Sequence, residues 1–205
     1  MNEADDSQLS AILMAGIEEE AAAAALRMAD RAEREGLADV AYAAYDSPLG
    51  TGYVAATERG IVSVALPNRS ADQFLDQLAA RISPRVLELR GRLGAALREL
   101  DQYFEGSRRE FELPLDWRLV RSEFSSRVLH ETAKLPYGVT SSYGEVAARA
   151  GNPRAYRAAG TALGRNPIPL VVPCHRVLQS GGGIGEYGGG PEMKEWLLRM
   201  EGAVG

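Results

Sequence analysis

The chain has 205 residues, 45% of them apolar and 25% charged, with one cysteine, two histidines and a formal net charge of −5. That length buries an ordinary core as one domain or two small ones; a lone cysteine excludes an internal disulfide, and one Cys with two His falls short of the usual four ligands of a structural zinc site, so neither metal nor cofactor is expected. No apolar run reaches the roughly 20 residues that span a bilayer, and the acidic start Met1-Asn2-Glu3-Ala4-Asp5-Asp6 lacks a signal peptide's basic opening, so the chain reads as cytoplasmic with no membrane partner.

Residues 7–36 are alanine-rich and free of proline, and they end at Gly36, which predicts a helix. Leu9, Ile12, Leu13, Gly16 and Ile17 share one face. This extension either packs on the body or serves as an arm for an unknown partner. Residues 40–66 predict an antiparallel meander. Short Tyr/Val/Ala/Ile runs are broken by Ser47-Pro48-Leu49-Gly50 and Glu58-Arg59-Gly60, both turn sequences. Helices are expected at about 71–82 and 88–105, the second carrying Leu89, Leu93, Ala96, Leu97, Leu100 and Phe104 at helical spacing before Gly106. Phe111 to Leu115 is a short extended piece. The character changes near 116, which divides the chain into an extension (1–38), an N-terminal domain (39–115) and a C-terminal domain (116–205).

Charge divides along the chain too. Residues 1–40 hold ten acids against three bases, whereas residues 118–176 hold nine bases against three acids. A basic region of that size is either a solvated face or a phosphate footprint. Within it, Ser142-Tyr143-Gly144-Glu145 fits a capping box, starting a helix that stops at Gly151. Asn152 is placed to cap a second helix, with Pro153 at its first position. That helix ends at Gly164, and the tight Gly-Asn link makes the pair a helix-turn-helix candidate. Ala155, Ala158, Ala159, Gly160 and Ala162 leave the second helix thin, with Arg154 and Arg157 projecting. Such a helix suits close core packing or entry into a minor groove, with an arginine to fill the space of an extruded base.

Ile168-Pro169-Leu170-Val171-Val172 reads as a short buried strand, and Pro173-Cys174-His175-Arg176-Val177 follows where it meets a turn. A free thiol is only a few per cent thiolate at neutral pH, so a reactive Cys174 needs a base or a positive environment. His175 is the nearest base, and a third group must orient it, with Glu195 and Glu201 as candidates. The alternative is an inert buried cysteine. Gly183-Ile184-Gly185-Glu186-Tyr187-Gly188 matches a dinucleotide fingerprint, but the chain ends too soon for the βαβ unit this requires. The glycine-rich loop 181–190 therefore reads as a close-approach loop leading into a helix over Glu192–Met200.

Phe124 to Val128, Leu135-Pro136-Tyr137-Gly138, Ser142-Tyr143, Gly151-Asn152-Pro153, Arg157-Ala158-Ala159-Gly160, Asn166-Pro167, the Cys174 pentapeptide, Tyr187-Gly188-Gly189 and Leu197 to Gly202 occur together, in this order. In order and spacing this set resembles the O6-alkylguanine-DNA alkyltransferases (methylated-DNA–protein-cysteine methyltransferases). The resemblance implies an α+β fold: a small N-terminal domain with an antiparallel sheet plus helices, and a mostly helical C-terminal domain holding a helix-turn-helix and the reactive cysteine. It implies that Cys174 accepts the alkyl group, that His175 acts as its base through a water, and that Glu201 orients His175. It implies that Asn166 holds the active-site turn and that Tyr143 rotates the nucleotide and donates to the departing guanine. Arg157 would fill the vacated stack, with Arg154, Tyr143, Ala158, Gly160 and Arg165 also at the DNA; Val172, Pro169, Tyr187 and Gly188 would wall the base pocket. The implied partner is double-stranded DNA carrying O6-alkylguanine, met by a monomer in a single-turnover reaction without cofactor.

Three residues depart from the family pattern. His130 replaces an aromatic and is read as packing. Glu186 stands where a glycine usually precedes the loop tyrosine, and Tyr156 is bulkier than the usual neighbour of the arginine finger. Three rivals are weighed. A damage-binding module of the alkyltransferase-like kind lacks the acceptor cysteine. A Cys–His hydrolase needs a separate, better-placed histidine. In a methylation-sensing regulator, residues 1–38 would have to form a DNA-binding domain, for which they are too few and too acidic.

Overall fold

The structure, a computed structural model, describes residues 3–204. The expected meander is present as β1 (Val40–Ser47), β2 (Gly50–Thr57) and β3 (Gly60–Ala65), paired antiparallel with Tyr42 opposite Ala55 and Val54 opposite Val64. Both hairpins turn where predicted. Gly60 has a φ of +125° and lies so close to the Pro114 carbonyl that a side chain there would collide with it. The backbone at 114–116 runs beside β3, with Ile61 N donating to Pro114 O and Asp116 N to Ile61 O. A fourth strand, β4 (Val86–Glu88), joins β1 in parallel and makes the sheet mixed, in the order β3-β2-β1-β4. Three residues are too short for an alternation signal, so the sequence shows no strand between the helices expected at about 71–82 and 88–105, and Glu88 lies in this strand and not at a helix start. The helix itself, α3 (Gly94–Phe104), begins after a 3-10 turn at Arg90–Leu93.

Strand alternation decides which face meets what. Val40, Ala55, Val62 and Ala65 point to one side, where α2 (Ala71–Arg81) lays Phe74 and Leu78 over them. Ala41, Ala43, Tyr45, Val54, Ile61 and Val64 point to the other, into a larger cluster that takes in Leu93 of the 3-10 turn and Leu100 and Tyr103 of α3. That cluster continues without a break into Val128, Leu129, Val146, Ala159, Leu163, Cys174 and Leu197. The sheet and the thiol therefore share one core.

The C-terminal helices are α4 (Glu123–Ala133), α5 (Tyr143–Arg149), α6 (Tyr156–Gly164) and α7 (Pro191–Met200). The capping box is present: Ser142 Oγ accepts from Glu145 N while the Glu145 carboxylate accepts from Ser142 N. A two-stranded parallel ladder pairs β5 (Ser141–Ser142) with β6 (Val177–Leu178), tying the start of α5 to the segment after Cys174.

Two expectations are corrected. Asn152 does not cap α6. Its Oδ1 accepts from Arg154 N at 3.3 Å, closing a turn over Pro153, and α6 begins at Tyr156 with Ala155 as its cap residue. Asn side chains bond the backbone two residues on as readily as they cap. Residues 168–172 are not a strand. Val172 N donates to Ile168 O at 2.9 Å, and Leu170 has a φ of +71°. Their backbone is held by the Asn166 side chain instead of a neighbouring strand, and burial of Ile168, Leu170 and Val172 alone imitates one.

The extension is helical from Glu3 to Arg34 as α1, ending in a left-handed Gly36. Leu37 N bonds Ala32 O and Gly36 N bonds Glu33 O, the pairing of a glycine-terminated helix. Ala32 is buried and Ala29 meets the core, but Leu13 and Ile17 are exposed. The side chains of Leu9 and Ile12 lie outside the described part. Among the described residues no helix is long and apolar enough to cross a membrane.

Candidate active site

Cys174 opens a single 3-10 turn, Cys174–Arg176, and is buried. Asn166 organises the approach to it. Its Nδ2 donates to Val172 O at 2.8 Å and lies 3.2 Å from Cys174 Sγ, while its Oδ1 accepts from Ile168 N. One side chain thus closes the loop 166–174 and touches the thiol. The Val172 carbonyl also accepts from Cys174 N, and the Cys174 carbonyl from Val177 N.

Glu201 is the hub of the site. It follows the last residue of α7 and is buried, a position where a carboxylate opposes the helix dipole and needs compensation. Compensation comes from five donors. His175 Nε2 approaches Oε1 at 2.9 Å, Tyr103 Oη donates to Oε1 at 2.7 Å, Arg176 grips both oxygens through Nε and Nη2 at 2.8 and 2.9 Å, and Gly138 N reaches Oε2 at 3.2 Å. Burial alone would raise this carboxyl, but the bonds from His175 and Arg176 outweigh it and hold the group well below the usual carboxylate range. Gly138, at φ +72°, lets the backbone pass: a Cβ there would lie 2.9 Å from Glu201 O.

An ionised carboxylate only accepts, so His175 carries its proton on Nε2 and presents a lone pair at Nδ1. Burial lowers the His175 pKa, against the opposing pull of Glu201, which keeps the ring neutral at neutral pH. Nδ1 is buried with no protein partner among the described residues. Burial pushes the thiol of Cys174 up, while Asn166 and the charge of Lys194 act the other way. Lys194 is fully buried, donates to Val177 O at 2.6 Å, sits 5.7 Å from the centre of the Tyr143 ring, and is pulled down to about 8 by burial. It remains mostly cationic at neutral pH. The arrangement can therefore deprotonate a buried thiol and stabilise the thiolate for attack on an electrophilic carbon.

Tyr143 begins α5, its hydroxyl 3.4 Å from the Glu186 carbonyl and its ring against Gly160. A Cβ on Gly185 would lie 3.0 Å from that hydroxyl, so the glycine-rich loop does approach closely. Tyr187 packs its ring edge-on to His175 at 6.3 Å, and its buried hydroxyl has no protein partner among the described residues. Pro169 and Val172 are buried. Gly188 is exposed, its carbonyl accepting from Asn68. A cavity of about 700 Å³ opens at this side, lined by Tyr143, Tyr156, Arg157, Gly160, Arg165 and Glu186 among others. Arg154, Arg157, Ala158 and Arg165 are exposed on and beside α6. Tyr156 carries the Arg157 guanidinium over its ring at 5.5 Å, and His130 stacks on Trp117 at 4.1 Å.

The structure thus brings Cys174, His175, Asn166 and Glu201 into one buried centre, with Tyr143 and Tyr187 beside it and the α6 arginines on the surface outside. Sequence reasoning missed three members. Tyr103 lies three residues after Leu100 on the buried face of α3, so helical spacing marks it as core but not as a donor to a carboxylate 98 residues away. Lys194 shares a helical face with Leu197 and Leu198, a position where a lysine signals a paired or functional cation. Arg176 was legible as one charge of a basic region and as part of the Cys174 pentapeptide, but not as a partner of Glu201.

A sheet-plus-helix fold carrying a helix-turn-helix beside a buried, base-assisted cysteine defines a DNA-binding protein class with a reactive thiol. Residues 40–117 match the model of the 6-O-methylguanine DNA methyltransferase ribonuclease-like domain, and residues 123–203 match that of the DNA binding domain of the same family. A methylated-DNA–protein-cysteine methyltransferase of Mycolicibacterium paratuberculosis is 36% identical over 162 residues, covering 79% of this chain and 92% of that one. An inducible methyltransferase of the same name from Bacillus subtilis is 35% identical, covering 73% and 83%. The structure of Mycobacterium tuberculosis OGT in complex with DNA superposes with a TM-score of 0.69 at 34% identity, over 80% of this chain and 93% of the other. The chain belongs to the 6-O-methylguanine DNA methyltransferase family.

Proposed function

We propose that this protein repairs DNA directly, moving the alkyl group of O6-alkylguanine in a duplex onto its own Cys174. The observation that carries this reading is the buried chain from Cys174 and Asn166 through His175 to the five-donor carboxylate of Glu201, set beside Tyr143 and the α6 surface. The base edge to be attacked lies inside the duplex, so the nucleotide must be extruded, at a cost of a few kcal/mol. Arg157, held over Tyr156, takes the vacated place, and Arg154 and Arg165 meet phosphates; the small residues Ala158 and Gly160 let α6 approach the groove. Val172, Pro169, Tyr187 and Gly188 enclose the extruded base.

The thiol proton passes to His175 Nδ1, through a water that also satisfies this otherwise unpaired nitrogen. Sulfur then forms its bond to the alkyl carbon as the carbon–O6 bond breaks, and the electron pair stays on the guanine. Tyr143 donates to the base as that charge develops. Glu201 fixes the imidazole and stabilises the imidazolium. The thioether has no good leaving group, so each chain reacts once and needs no cofactor. The protein works as a monomer in the cytoplasm.

Titrating the protein with a duplex whose O6-methylguanine carries a labelled methyl group tests this reading. Transfer should saturate at one methyl per chain; continued release of methylated product with catalytic amounts of protein contradicts it.

A further inference from the structure

A second concave site lies between the two halves of the chain. It is a cleft of about 540 Å³. Four arginines line it from separate segments: Arg69 before α2, Arg81 in the last turn of α2, Arg121 before α4, and Arg165 at the end of α6. No carboxylate lines it, and none of the four makes an ion pair among the described residues. In a chain of net charge −5, four guanidiniums with no carboxylate among them make this cleft locally positive and suited to an anion. A second observation points the same way. Ser63, on β3, lines the cleft at 1% exposure, and its Oγ has no hydrogen-bond partner among the described residues. A buried hydroxyl left unsatisfied is costly, so it calls for a partner. Planar guanidiniums and a hydroxyl donor suit a phosphoryl oxyanion. Thr161, Gly164 and Arg165 line both this cleft and the cavity holding Tyr143 and Arg157, so the two are neighbours along α6.

We propose that this cleft is a phosphate site, filled by a backbone phosphodiester of the same DNA that α6 engages, so that the N-terminal half grips the duplex directly. The inference rests on the DNA-repair reading. It assigns Arg69, Arg81 and Ser63, residues outside the helix-turn-helix, to DNA affinity.

The test compares the wild type with Arg81→Gln, Arg69→Gln and Ser63→Ala for binding to an undamaged duplex over a range of salt. The Arg81 side chain makes no hydrogen bond among the described residues, so Arg81→Gln stays interpretable if Arg69→Gln, which loses bonds to Gln73 O and Gln77, disturbs α2. Each arginine variant should weaken binding about 3- to 10-fold at about 0.1 M salt and reduce the salt slope by about 0.9. Ser63→Ala should weaken it about 2- to 5-fold with the slope unchanged. All three should still accept an alkyl group from free O6-alkylguanine base, which has no phosphate. Unchanged affinity and slope in the arginine variants overturn the proposal. So does a thermal shift with inorganic phosphate, at matched ionic strength, that these variants abolish without loss of DNA affinity; the cleft would then hold free phosphate. Failure of the wild type itself to accept an alkyl group from free base or duplex would instead sink the underlying repair reading.

Discussion

Tyr103 Oη donates a 2.7 Å hydrogen bond to Glu201 Oε1, joining α3 of the sheet-bearing half to the end of the last helix, 98 residues on. The same hydroxyl lies 3.5 Å from His175 Nε2. Burial and the neighbouring carboxylate hold Tyr103 well above its ordinary pKa, so it remains a donor across the working range. The N-terminal half therefore helps to position the base. Tyr103→Phe keeps the ring packing against Phe111 and Tyr137 and removes only the donor. A hydrogen bond to a charged group contributes about 1.5–3 kcal/mol, and urea unfolding should show a loss of that size. Transfer should slow while DNA affinity stays the same; equal slowing and weakening would mean a merely structural role.

Glu201→Gln breaks a buried ion pair from one side, leaving Arg176 without its counter-charge and the donors with one accepting oxygen in place of two. Such a break costs about 3–5 kcal/mol, readable by denaturant unfolding. The wild-type pairing also makes a pH prediction. The folded pKa of Glu201 is depressed, so its stabilisation is complete above the unfolded value and is lost as the pH falls through the folded one. The acid limb of the stability curve, below about pH 4, should shrink in Glu201→Gln; an unchanged limb would contradict the assignment.

Much of this was legible in advance, and the misses have physical causes. The capping box at Ser142, both hairpin turns and the Gly36 stop were readable because each is local: the residues that form the hydrogen bonds sit within five positions of one another. Asn152 was misread because two local bonding modes compete for the same side chain. Ile168–Val172 was misread because alternating burial does not reveal that Asn166 supplies the hydrogen bonds. The hub at Glu201 draws on Tyr103, Gly138, His175 and Arg176, brought together only by tertiary packing; the resemblance pointed to Glu201 itself, not to its full set of donors.

Lys194 supplies a second pH prediction. Burial raises the Cys174 thiol above its ordinary pKa, so the transfer rate should climb with pH through neutrality and on into the ordinary thiol range as thiolate forms. The Lys194 cation lowers that pKa. Lys194→Met should shift the rate profile to higher pH and slow transfer at neutral pH. The profile from free O6-alkylguanine base checks this without DNA, and an unmoved profile removes Lys194 from the account.

Alkylation should itself destabilise the protein. Cys174 is 6% exposed and packed within the large core, where an added methyl typically costs about 1–3 kcal/mol. Calorimetry of the reacted protein should give a lower Tm than the free thiol form. Equal melting would mean that the loop around Asn166 absorbs the methyl without strain.

The central claim is that Cys174 is the acceptor. Intact-mass analysis after incubation with an O6-methylguanine duplex, followed by peptide mapping, tests it most directly. The account predicts a single added methyl on the peptide holding Cys174 and none in Cys174→Ser. A folded sample that gains no methyl, or one that carries it on another residue, would contradict it.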